Sequence, residues 1–383
     1  MSEKLFKNNK ILFISSEFPP GPGGLGEHAF QISRGLNELG WEVTVITTLD
    51  YTNEIERDEF IEQLNYQVIN IKRNSWSIIN VCNKILKMIM LTKQLNPAII
   101  ISSGSISALY GRIVEKIFQI KRVSFVHGPE FRMMYNDYIT RWILNTSRII
   151  AVSNWTSKFI KKSGVSSPIN IIMNGADITK YNTPSINGEL KNILGINDKF
   201  VLLTVGRICD RKGQETVIKA IKILNSIYSE IVYIMVGYET DKEKYSNLIL
   251  ELDLSDQVIS IGKVSSEELP SYYALADIYI LNSRPASDGD IEGFGISILE
   301  AAMMSKPAIG SKDCGIEDAI VKDETGLLVQ PDSPMETANA IKQLIDDEEL
   351  RLRMGENSRE RALNCFTWER VVTDVDQLLK QEI

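Results

Sequence analysis

Short runs of Val, Ile and Leu alternate with amphipathic segments along almost the whole chain. The runs at 11–15, 42–47, 66–72, 98–102, 123–127, 148–153 and 169–173 read as strands. Each is apolar at consecutive positions, so both faces of the sheet must be covered, as in parallel sheets flanked by helices. Helix-period segments at 25–39, 77–95 and 105–118 supply that cover. The pattern pauses at 174–199, a polar stretch with Pro184 and Gly188. It then restarts with strands at 200–205, 231–236, 258–261, 278–281, 307–309 and 326–329. After Gln330 the period is helical to the end, behind the breaks at Pro331 and Pro334. Two such series joined by a linker predict an α/β protein with two doubly wound, Rossmann-like domains facing a cleft. The expected boundaries are 1–175, a linker at 176–198, and 199–366.

Composition narrows the class. A chain of 383 residues is too long for one ordinary domain and suits two. Cys82, Cys209, Cys314 and Cys365 are scattered with no C-x-x-C, which predicts reduced thiols and neither a disulfide framework nor a zinc site. The first ten residues lack the apolar core of a secretory signal. The longest apolar stretch, 76–91, carries Lys84 and Lys87 and is too short to span a bilayer, so the expected location is cytoplasmic. Net charge is −8, yet residues 72–162 hold 15 Lys/Arg against three acids, a local balance of +12. A partner for that half would be anionic, either a membrane surface or a phosphate-bearing acceptor. The plainer alternative is a solvated basic face. Nucleic acid is not expected, because no binding motif or interleaved aromatics accompany the charge.

Candidate chemistry sits in the loops after the expected strands, where ligands of open α/β sheets bind. The stretch Asp290 to Ala302 reads D-I-E-G-F-G-I-S-I-L-E-A-A, a loop followed by a helix from about Ile296. A helix start carries unpaired N–H groups and partial positive charge, suited to a phosphate or sugar hydroxyl. Glu292 and Glu300 are eight residues apart, too far for a tight acid/base pair and better placed to hold two parts of one elongated ligand. In the loop G-R-I-C-D-R-K-G, Arg207 and Lys212 flank the next helix start and form a receptor for a diphosphate. In the first half, S-S-E-F-P-P-G-P-G-G-L-G-E-H contains a formal G-x-G-x-x-G, with Asp50 near the distance a dinucleotide fingerprint requires. Glu17, Phe18, Pro19 and Pro20 intervene between the strand and the first glycine, which argues against nicotinamide binding. Gly24 and Gly26 still let a backbone approach a phosphate. The two histidines lie on these loops. His127 follows a strand and reads as structural or as a ligand contact, and His28 as packing or a loop hydrogen bond.

Taken together, G-R-x-x-x-x-K-G and E-G-F-G-x-x-x-x-E resemble glycosyltransferase family 4, a large group of retaining enzymes with the GT-B fold. The likeness extends to F-P-P-G-P-G-G-L-G-E-H, V-H-G, the turn Asn174-Gly175-Ala176-Asp177, G-I-E-D-A-I and G-L-L-V. Ala176 departs from the family's usual Val, and the loop with Asp288 and Asp290 is variable in the family. The resemblance implies a transferase moving a sugar from a nucleotide-sugar donor, GDP-mannose or a UDP-sugar, to a hydroxyl of a cell-envelope glycan or lipid-linked acceptor. It implies that Arg207 and Lys212 bind the donor diphosphate, that Glu292 contacts the sugar with the backbone amides of Phe294, Gly295 and Ile296, and that Glu300 holds the ribose. Lys263 and Val264 would border the base, Gly24 and Gly26 would face the phosphates, and His127 would sit by the sugar and acceptor. It implies too that a last helix, 367–383, packs back on the first domain. No cofactor or metal is expected, since cations and a helix start already supply positive charge. Asp288-Gly289-Asp290 resembles the D-x-D of metal-dependent transferases but lacks further ligands. An NAD-dependent dehydrogenase and a non-catalytic nucleotide-sugar-binding protein are the alternatives.

Overall fold

A computed structural model describes residues 8–21, 23–47, 53–71, 78–146, 148–181 and 188–383. Asp50, Lys72, Trp76, Ser77 and Pro184, which figure in the sequence reading, lie outside them. The chain divides into two compact units: Met1–Asn174 with Trp368–Ile383, and Gly175–Thr367.

The first unit holds strands β1 (Lys10–Ser15), β2 (Glu42–Thr47), β3 (Gln67–Asn70), β4 (Ile99–Ser103), β5 (Arg122–Val126), β6 (Arg148–Ala151) and β7 (Ile169–Ile171). They form one parallel sheet in the order β3-β2-β1-β4-β5-β6-β7. Strand β1 shows why the run must be apolar throughout. Ile11 and Phe13 pack with Ala29, Leu36 and Trp368 on one face, while Leu12 and Ile14 pack with Met88 and Val114 on the other. Burying each such side chain fully contributes about 1.5–3 kcal/mol.

The helix Trp368–Glu382 completes this unit by lying on the helix Gly24–Glu38. Close approach depends on Gly35, where an added Cβ would fall 2.5 Å from Val372 Cγ2. The Trp41 indole N–H donates to Asp376 at 2.8 Å, and Arg148 pairs with Glu382 at 2.6 Å.

The second unit holds β8 (Phe200–Val205), β9 (Ile231–Val236), β10 (Val258–Gly262), β11 (Ile278–Leu281), β12 (Ala308–Ser311) and β13 (Gly326–Val329), ordered β10-β9-β8-β11-β12-β13 and again parallel. Of the stretch read as a linker, 176–198, the described residues 176–181 and 188–198 belong to this unit. Ala176, Tyr181 and Ile196 are buried, Tyr181 stands edge-on to Tyr273 with ring centroids 5.6 Å apart, and Gly188–Leu194 is helical. Apolar side chains sparsely spaced in polar sequence were enough to anchor it. Both sheets reverse their winding direction once, between β1 and β4 and between β8 and β11. Among the described residues no helix is long and apolar enough to cross a membrane.

Candidate active site

The loops leaving β8 and β11 lie side by side at the second unit's switch point. The first runs through a single 3-10 turn, Asp210–Lys212, into the helix Gln214–Leu224. Gly213 makes this possible: its φ is 72°, and a Cβ there would sit 1.7 Å from the carbonyl oxygen of Asn282, just past β11. Only glycine tolerates both the left-handed conformation and that contact. Arg284 stitches the loops further, its backbone N–H donating to the carbonyl of Arg211 at 2.9 Å and its Nε to that of Asp210 at 3.1 Å.

Side chains then converge on one carboxylate. Glu292 Oε2 accepts from Lys212 Nζ at 2.7 Å and from Arg211 Nη1 at 2.6 Å, and Arg211 Nε reaches Asp290 at 2.9 Å. The Glu292 side chain is only 12% exposed. Burial alone would raise its pKa, but the Arg211 and Lys212 cations override it and hold the carboxyl at about 2. Asp290 moves the other way: burial raises it despite Arg211. The backbone under Glu292 is fixed as well. Its carbonyl accepts from Gly315 N–H at 2.9 Å, and a Cβ on Gly315 would fall 1.8 Å from the carbonyl oxygen of Gly293.

Past Gly295, which has a φ of 92°, the helix Ile296–Met303 begins without a side-chain cap. Phe294 and Gly295 are buried at its start and Ile296 is half-buried. Glu300, half-buried one turn and more along, accepts from the Tyr273 hydroxyl at 2.5 Å. Burial and that carboxylate push the Tyr273 phenol well above its usual range, so it stays a donor. The Tyr279 hydroxyl donates to Ser297 at 2.7 Å. Lys263 is exposed and Val264 half-buried directly after β10.

The structure thus brings Lys212 and Glu292 together and places Glu300 apart with its own partner. Arg207 stays exposed at the loop start and makes no ion pair among the described residues. The residue that sequence reasoning missed is Arg211. Its adjacency to Lys212 was visible, but the 3-10 turn that aims both side chains at Glu292 was not. Asp290 pairs with Arg211, and its N–H donates to Asp288 Oδ1 at 3.0 Å, a local turn.

In the first unit the helix Gly24–Glu38 starts from Gly23, with Gly24 exposed. Gly26 is buried where a Cβ would come within 3.1 Å of the Phe18 backbone nitrogen. The ring of His127 is hydrogen-bonded through Nε2 to Ser103 Oγ at 2.8 Å, and its backbone N–H donates to Glu130 at 2.8 Å. Burial lowers its pKa to about 4, so the imidazole is neutral near pH 7. His28 is a packing residue. Its ring stands edge-on to Phe125, His127 and Trp368, and neither ring nitrogen has a hydrogen-bond partner among the described residues. Burial, then the neighbouring His127, lowers it well below the usual range.

Two family models match, one described as Glycosyltransferase Family 4 over residues 22–180 and one as Glycosyl transferases group 1 over residues 187–361. The chain belongs to glycosyltransferase family 4. Relatives of this family 4 enzyme include the GDP-mannose-dependent alpha-(1-6)-phosphatidylinositol monomannoside mannosyltransferase of Mycobacterium tuberculosis, 26% identical over 238 residues. That match covers 61% of this chain and 62% of the relative, so the chain spans less than two thirds of that protein. The capsular polysaccharide biosynthesis glycosyltransferase CapM of Staphylococcus aureus is 27% identical over 400 residues, covering 98% and 99% of the two chains. Among solved structures, Anabaena HepE in complex with UDP and glucose superposes with a TM-score of 0.84 at 21% identity, covering 98% of this chain and 100% of that one. That likeness confirms the GT-B fold of the family 4 enzyme. Neither family model describes a dehydrogenase, and the glycine loop begins too far past β1 for one.

Proposed function

We propose that this enzyme transfers a sugar from a nucleotide-sugar donor, GDP-mannose or a UDP-sugar, to a hydroxyl of a cell-envelope glycan or lipid-linked acceptor. Transfer proceeds with retention of configuration and without a metal ion. The observation that carries the reading is the ionised Glu292 carboxylate held by Lys212 and Arg211 beside the uncapped start of the helix Ile296–Met303. Relatives named for GDP-mannose and a neighbour holding UDP support the donor class, and CapM supports a polysaccharide acceptor.

In this reading the donor diphosphate lies on Arg207, Lys212 and the helix N-terminus. Glu292 and the amides of Phe294, Gly295 and Ile296 hold the sugar, Glu300 the ribose, and Lys263 with Val264 the base. Roles for Gly24 and Gly26 at the phosphates, and for His127 at the sugar, rest on the family resemblance. As the bond from C1 to the diphosphate oxygen breaks, the acceptor hydroxyl oxygen bonds to C1 on the same face. Its proton passes to the leaving phosphate oxygen. Negative charge building on the diphosphate meets fixed cations and N–H groups, and losing one such group typically costs about 2.7–4 kcal/mol. The enzyme acts in the cytoplasm at an anionic membrane surface, a reading supported by the excess of basic residues over 72–162.

A melting-temperature screen tests the donor assignment: nucleoside diphosphates and nucleotide sugars should stabilise the protein and NAD should not. Lys212→Ala and Glu300→Ala should each remove most transferase activity, by about a hundred- to a thousandfold for Lys212, with folding intact. Turnover at the normal rate in both variants would show the donor site to be misassigned. Donor binding without transfer or hydrolysis would leave a sugar-binding protein.

A further inference from the structure

The geometry points to the outward face of the helix Asp137–Leu144, in the first unit, as the element that inserts into an anionic lipid bilayer. It rests on the membrane reading above and names the surface that carries it. This helix turns Thr140, Ile143 and Leu144 into the core. A surface helix ordinarily presents polar residues on the opposite side. Here that side carries Tyr138, 72% exposed, Trp142, 42% exposed, and Ile139. Met133 and Met134, from the preceding helix Glu130–Met134, are exposed just before it. Five large apolar side chains within ten residues make a surface that water alone does not explain. Tyr and Trp are the residues whose amphipathic rings favour the headgroup level of a bilayer.

Positive charge lies on this helix and on a neighbouring one. Arg141 lies on the same helix and donates to the carbonyl of Ser163 at 3.1 Å, which ties this helix to the turn after Lys161 and Lys162. Arg132 lies over the Phe159 ring at 5.3 Å from its centroid, joining the helix Asn154–Lys161 to the patch. Lys158, Lys161 and Lys162 are exposed. The acids nearby are engaged: Asp137 pairs with Arg132 at 3.2 Å, and Glu130 accepts from the His127 N–H. Apolar rings rimmed by cations match an anionic bilayer. The helix Ile78–Leu95 is a weaker choice. Met88 and Thr92 are buried, Leu91 and Leu95 pack in the core, and among its described side chains Leu86 and Met90 are the large apolar ones left exposed.

Flotation of the full chain with vesicles of phosphatidylcholine alone, and of equimolar phosphatidylcholine and phosphatidylglycerol, tests the assignment. Wild type should float with the anionic vesicles at low ionic strength and release at high ionic strength. Tyr138→Ser combined with Trp142→Ser should lower the bound fraction by about tenfold, and Leu86→Ser with Met90→Ser should not. Should the first pair impair folding, Lys158→Gln, Lys161→Gln and Lys162→Gln together serve in its place and should also weaken flotation. Unchanged flotation of the Tyr138/Trp142 variant, or loss confined to the Leu86/Met90 variant, overturns the proposal. So does a Tyr138/Trp142 variant that changes only from dimer to monomer, which would make the face a contact between copies. No flotation of wild type at low ionic strength ends the membrane reading too, while stabilisation by nucleoside diphosphates reports separately on the transferase.

Discussion

Lys212 and Arg211 share one oxygen of Glu292, yet the proposed reaction gives them different tasks. In the proposed reading a donor diphosphate would compete with Glu292 for Lys212, whereas Arg211 is also anchored by Asp290. In that reading Arg211 is a positioning residue that would keep Glu292 fixed and ionised while Lys212 turned to phosphate. Arg211→Ala should lower kcat by about ten- to a hundredfold, roughly the worth of one charge-assisted bond, and leave stabilisation by nucleoside diphosphates near normal. Lys212→Ala should weaken that stabilisation. Equal loss of diphosphate binding in both variants would contradict this division. The same carboxyl sets a pH dependence. Its folded pKa of about 2 lies below the ordinary 4.5, so it contributes stability above pH 4.5 that is lost as pH falls from there toward 2. Acid unfolding of Glu292→Gln followed by circular dichroism should show a shallower decline over that range. Arg211, Lys212 and Asp290 face the group, with Tyr279 and Cys314 nearby, so the measured slope reports the cluster.

Strands were the most legible elements, for a physical reason. A parallel strand covered on both faces has no polar position to confuse its pattern, and all described strands fell within a residue or two of the apolar runs. Loops were legible as composition and illegible as shape. G-R-I-C-D-R-K-G reads as cationic and glycine-bounded, but whether Arg207 or Arg211 meets Glu292 depends on a 3-10 turn and on Gly213 under Asn282. The polar stretch 176–198 misled because three apolar side chains, Ala176, Tyr181 and Ile196, anchor it. Helix contacts are testable at Gly35, where a side chain meets Val372. Gly35→Leu should destabilise the first unit by about 1–3 kcal/mol through overpacking, read in urea denaturation. Diphosphate binding by the second unit should be unaffected.

At the scale of the molecule, both sheets reverse winding once, and the loops at the second reversal hold the cation–carboxylate cluster. The charge imbalance read from composition includes the exposed Lys158, Lys161 and Lys162 that the proposed docking face calls on. The C-terminal helix belongs to the first unit: Trp368, Val371, Val372, Val375 and Leu379 share a core with Phe13 and Leu36. A fragment of residues 1–174 leaves that core open. It should aggregate or fold loosely, and a synthetic peptide of residues 368–383 should restore its circular dichroism. A monomeric, cooperatively melting fragment would show the helix to be dispensable.

That returning helix separates the order of synthesis from the order of assembly. A ribosome reads the whole of Gly175–Thr367 before the residues that close the first sheet emerge. The lobe begun first is finished last, so a truncation near the 3′ end of the message would damage the half of the protein encoded at its start.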